Sequence, residues 1–113
     1  GLSVFGRFFL KKYPYHPLYL LELARTFRRE LKMPLILLGG VTDNASLKRA
    51  MAEGFDFVAM GRALLADPDL PKQLEADPNA KSRCIHCNRC MPTIYQGTHC
   101  PVSGAPPALD VSV

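Results

Sequence analysis

The chain has 113 residues, 48% hydrophobic and 21% charged, which suits one soluble compact domain with a real core. No apolar run nears the ~18 residues of a membrane span, and no charged-then-apolar leader is present, so the expected setting is the cytoplasm. A net charge of +4 is modest, and the sequence matches no nucleic-acid module.

Arg25, Arg28, Arg29 and Lys32 share one side of a helix by spacing. Without interleaved aromatic residues they read as a solvated face rather than a nucleic-acid patch. The sequence begins at Gly1 rather than methionine, so a trimmed, processed or internal piece is expected. Residues 1 to 15 are rich in Phe and Tyr with no clear period, and read as irregular chain packed on a larger body.

The first regular element is expected from Pro17, which suits a first helical turn because its missing N–H would be unpaired there anyway. Leu20, Ala24, Phe27 and Leu31 recur at helical spacing, with Leu21 and Leu23 widening the stripe, and Met33-Pro34 ends it. Leu35 to Leu38 is short and wholly apolar, which predicts a strand covered on both faces. Thr42 or Asp43 caps the next helix, whose apolar face is Leu47, Ala50 and Met51, and Gly54 stops it. A second apolar strand is predicted from Phe55 to Met60. A short helix through Leu64 and Leu65 and another near Pro68 to Leu74 follow. Short buried strands alternating with helices define an α/β protein with parallel strands, or part of one.

Each predicted strand ends in glycine immediately before a helix: Gly39-Gly40 after the first, Gly61-Arg62 after the second. Glycine lets backbone approach a ligand with no Cβ in the way, and a guanidinium suits bidentate phosphate recognition. Two adjacent strand ends of this kind can grip one phosphate, as the last loops of (β/α)8 barrels commonly do. The plainer reading is a pair of tight turns and a surface arginine. Dinucleotide and P-loop fingerprints are absent.

All four cysteines fall in Cys84-x2-Cys87-x2-Cys90-x9-Cys100. Such close spacing lets short loops fold around one metal ion or cluster. Pro101 echoes the Cys-Pro ending of some iron–sulfur sequences, and His86 and His99 offer further ligands. An iron–sulfur cluster, zinc, and reduced thiols packed on the domain all stay open. Disulfides are disfavoured by the missing secretion signal.

PLILLGGVTD, EGFDFVAMGRALLADPDL and RCIHCNRCMPTIYQGTHC, in this order and spacing, resemble the old yellow enzyme family of NADH:flavin oxidoreductases. More narrowly they resemble its 2,4-dienoyl-CoA reductase branch. The resemblance covers Pro17 to Cys100. It implies an FMN-binding (β/α)8 TIM barrel that takes hydride from a reduced nicotinamide and passes it to an activated alkene or similar acceptor. The family's FMN phosphate contacts fall on Gly39 and Gly40 at strand 7 and on Gly61 and Arg62 at strand 8. The 4Fe–4S branch spaces its later cysteines more widely than Cys84, Cys87, Cys90 and Cys100 are spaced here.

A full barrel needs about 250 residues, so the chain is expected to carry only its last βα units, residues 1–76, with a Cys-rich C-terminal extension, residues 77–113. The substrate-holding and flavin-ring residues of the family lie on earlier strands, so no catalytic residue is assigned. His16, beside Pro17, reads as a cap or surface residue. The chain alone is therefore expected to be inactive, with flavin and nicotinamide as partners only of a full-length enzyme. The alternatives are a self-associating βα binding module, a homo-oligomer if the chain exists alone, and a metal-binding or iron–sulfur module built on the four cysteines.

Overall fold

The computed structural model describes residues 14–104; most of the aromatic stretch expected to be irregular chain lies outside the described residues. Residues 17–20 form a turn, and helix α1 runs Leu21–Glu30. The start falls later than Pro17 because Leu18 takes a left-handed backbone, φ 55°, and its N–H donates to the Gly40 carbonyl at 3.1 Å. The helix also stops short of Met33-Pro34. Leu31 turns extended, and the Arg28 guanidinium donates to the carbonyls of Leu31 at 2.5 Å and Met33 at 3.2 Å. Basic side chains serve the orphan carbonyls of a helix end in this way.

Strand β1, Ile36–Leu38, and strand β2, Phe57–Ala59, pair in parallel with Leu37 opposite Val58. Between them lies α2, Asn44–Ala52, so the unit is a βαβ crossover. Of the two expected caps, Asp43 is the one used. Its carboxylate accepts from the Ser46 N–H at 2.8 Å, and the Ser46 hydroxyl accepts from the Asp43 N–H at 3.2 Å. Gly54 follows α2 at φ 90°, its N–H donating to the Met51 carbonyl, as expected of a stop. Helices α3, Arg62–Ala66, and α4, Leu70–Ala76, come next, then a 3-10 turn at Met91–Gln96. Among the described residues no helix is long and apolar enough to cross a membrane.

One core cluster joins Leu21, Leu37, Ala50 and Phe55, so α1 and α2 cover one face of the strands. Of the two faces expected to be covered, the described residues cover one. Leu37 is 1% exposed, but Ile36, Leu38 and Phe57 on the opposite face are 62%, 54% and 61% exposed. Successive strand residues point to opposite faces, and no described residue covers the second one. Leu23 and Phe27 of α1 are likewise exposed rather than part of the buried stripe.

The basic side of α1 is not simply solvated either. Arg25 clamps Glu53 with bonds of 2.8 and 2.6 Å, and Arg28 reaches Asp56 at 3.3 Å, tying α1 to the loop that leads into β2. Bonds from Arg25, and then Arg49, hold the Glu53 carboxyl down to about 2. A second cluster, Ala63, Leu70 and Leu74, packs α3 on α4. Beyond α4 the chain returns across the end of β1: Lys81 pairs with Asp43 in an antiparallel bridge, and the Ser82 N–H donates to the Thr42 carbonyl at 2.8 Å. This return carries the cysteine segment past the ends of both strands.

Candidate functional site

Parallel pairing in register sets the C-terminal ends of β1 and β2 side by side, so the residues that follow them must share one rim. Gly39, Gly40, Gly61 and Arg62 all line a single cavity of about 640 Å³. The glycines differ in what they permit. At Gly40, φ 76°, an added Cβ would lie 2.5 Å from the Leu18 backbone N, and at Gly39, φ 113°, 3.0 Å from the Leu20 side chain. The close approach there is by the chain's own turn at residues 17–20. At Gly61 a Cβ would meet nothing within 4 Å, so space is open beside the backbone at the end of β2.

Arg62 is half-buried and forms no ion pair with a carboxylate among the described residues. Its Nη1 donates instead to the Asn88 Oδ1. The far wall comes from the cysteine segment and from the turn before α1. The His86 ring stacks on Tyr15 with centroids 3.4 Å apart and planes 9° from parallel. Burial, and then the positive charge of Arg62, hold the His86 imidazole below its ordinary range, which favours the neutral ring. The Tyr15 hydroxyl is buried with no hydrogen-bond partner among the described residues. His16 is exposed and stands on the same rim, its Nδ1 3.1 Å from the Pro17 carbonyl oxygen.

Cys84, Cys87, Cys90 and Cys100 border a second, much smaller cavity of about 20 Å³. All four are free thiols. Their environments differ: burial raises the Cys90 thiol, whereas hydrogen bonding to Ser103 lowers Cys100 and makes it the readier thiolate. Cys84 Sγ lies 3.7 Å from His86 Nδ1. Among the described residues no three His, Cys, Asp or Glu side chains group closely enough to hold one metal ion. Arg62 and Asn88 line both cavities and form the wall between them.

Sequence reasoning found the strand-end residues and the cysteines but not Asn88, His86 or Tyr15 as parts of this rim. The only local signal was the position of His86 and Asn88 inside the short cysteine intervals, where both take left-handed backbone, φ 58° and 59°. Such turns are unusual for residues other than glycine, though tolerated by Asn and His.

An α/β unit of this kind, with these segments in this order, belongs to the old yellow enzyme-like NADH:flavin oxidoreductases, as part of such a protein. The 4,4'-dithiodibutanoate disulfide reductase of Rhodococcus erythropolis is 49% identical over 105 residues, covering 93% of this chain and 26% of that protein. The NADH oxidase of Thermoanaerobacter brockii is 38% identical over 68 residues, 58% of this chain and 10% of that protein. The putative 12-oxophytodienoate reductase 6 of Oryza sativa subsp. japonica is 44% identical over 52 residues, 45% of this chain and 13% of that protein. The chain thus spans about a quarter or less of the length of these relatives. No family model matches it, and no solved structure matches it.

Proposed function

We propose that the chain is the C-terminal part of an FMN-dependent NAD(P)H oxidoreductase of the ene-reductase type, and that it supplies the FMN phosphate site. The observation that carries this reading is the convergence of Gly39, Gly40, Gly61 and Arg62 on one cavity at the ends of two parallel strands. The residues fit a phosphate. Arg62 brings a positive charge that no described carboxylate cancels, and the space beside Gly61 admits an oxygen close to backbone. The exposed face of Ile36, Leu38 and Phe57 fits the interior of a (β/α)8 barrel whose other strands lie outside this chain. FMN, when bound, supplies the hydride chemistry. The chain's own residues hold and orient its phosphate end.

In the full-length enzyme, replacing Arg62 by alanine should raise the FMN dissociation constant about 10- to 100-fold, the range of a charge-assisted hydrogen bond. Riboflavin, which lacks the phosphate, should bind the full-length variant as it binds the full-length parent. An FMN constant unchanged by Arg62→Ala would remove Arg62 from the site.

A second reading concerns residues 77–113 as a metal-binding extension, and the meeting of all four cysteines on one cavity favours it. Chain purified without oxygen should then contain iron and show broad visible absorption. A metal-free, colourless preparation would leave four packed thiols and end this reading.

A further inference from the structure

Arg62 has a guanidinium with five donors at the end of β2, and what holds it comes from elsewhere in the chain. The residue that fixes it, Asn88, is 26 positions away, in the interval between Cys87 and Cys90. Its backbone is left-handed, φ 59°, in a loop where His86 is left-handed too. Asn tolerates that conformation better than most side chains. The loop conformation thus brings an amide oxygen onto Arg62 Nη1, and both residues line the larger cavity.

The chemistry of the acceptor matters. A carboxylate at this place would hold the guanidinium equally well but would cancel its charge. A neutral amide holds it in place and leaves the full positive charge facing the cavity. We propose that Asn88 is a positioning residue of the phosphate site: it fixes the Arg62 guanidinium while preserving its charge for the anion. The cysteine segment is then a structural component of the cofactor site and not only an appendage to it. This inference rests on the reading of the larger cavity as the FMN phosphate site.

The test is titration of FMN and of riboflavin, followed by flavin fluorescence, into the flavin-free full-length enzyme that contains this chain and into five variants of it: Asn88→Ala, Asn88→Gly, Asn88→Asp, Arg62→Ala and the Arg62→Ala/Asn88→Ala pair. Asn88→Ala and Asn88→Gly should each weaken FMN about 3- to 10-fold, the net worth of one hydrogen bond. Glycine keeps the left-handed turn at no steric cost, so the match between the two variants assigns the effect to the amide. Asn88→Asp should weaken FMN more than either, and riboflavin should be unmoved in all. In the Arg62→Ala background Asn88→Ala should add nothing.

Parent-like FMN binding by Asn88→Asp overturns the proposal. So does parent-like binding by Asn88→Gly, or an Asn88→Ala loss of equal size with and without Arg62. If the full-length parent does not prefer FMN over riboflavin, or if Arg62→Ala leaves that preference intact, the phosphate reading itself fails. An effect of Arg62→Ala with silent Asn88 variants defeats the positioning role alone.

Discussion

Gly40→Ala should destabilise the chain by about 3 kcal/mol or more, the scale of forcing a Cβ against backbone at a left-handed position. The new Cβ would sit 2.5 Å from the Leu18 backbone N, 3.1 Å from a Tyr19 ring carbon and 3.2 Å from the His16 carbonyl oxygen. A flexible side chain could swing away from such a contact. Leu18 N cannot do so cheaply, because its hydrogen is committed to the Gly40 carbonyl at 3.1 Å. Backbone strain adds to the clash, since Gly40 sits at φ 76°. The turn at residues 17–20 would have to lift, and with it the wall of the cavity formed by Tyr15, His16 and Tyr19. The thermal midpoint should fall by at least about 10 °C for a chain of this size. Gly61→Ala is the control, because its Cβ meets no atom within 4 Å and its φ is −95°. Equal midpoints for Gly40→Ala and the parent would show that the turn does not dock on Gly40.

The second large effect belongs to Asp67, the residue that ends α3. Its side chain is 1% exposed. Its carboxylate accepts from the Arg83 N–H at 2.6 Å, the Arg83 Nε at 2.5 Å and the Ser82 hydroxyl at 3.1 Å. These three bonds fasten the chain immediately before Cys84 to the end of α3. Asp67→Ala leaves buried donors without an acceptor, which costs about 2–3 kcal/mol once the solvent-exposed Arg83 side chain is allowed to rehydrate.

A pH signature should accompany this loss. Burial pushes the Asp67 carboxyl up, but the bonds from the Arg83 backbone, the Arg83 side chain and Ser82 outweigh it and hold the group below its ordinary range. A carboxyl lowered on folding contributes its stability in full above its unfolded pKa, about 3.9 for Asp, and loses it as pH falls through the lower folded value. Melting of parent and Asp67→Asn chains should therefore differ most at neutral pH and converge in strong acid. A gap independent of pH would mean that the ionised carboxylate is not what holds the segment.

Local chemistry was enough for much of this. Leu35 to Leu38 and Phe55 to Met60 announce strands because short apolar runs between glycine and helix signals have few other outcomes. Thr42 and Asp43 announce a cap because such side chains reach a nearby backbone N–H, and the structure uses Asp43, whose carboxylate accepts from the N–H three residues on. The strand-end pairs and the bunched cysteines stood out for the same reason: each is a relation among near neighbours in the chain. What tertiary structure decided is everything that spans a long separation. The Leu18 to Gly40 bond delays α1, Arg25 to Glu53 turns an apparently solvated face into a clamp, and Arg62 to Asn88 joins the strand end to the cysteine segment. The bare face of Ile36, Leu38 and Phe57 is of the same kind. Periodicity says that a face is apolar, but whether anything covers it depends on which distant parts of the chain come to lie there, and spacing between neighbours holds no record of that.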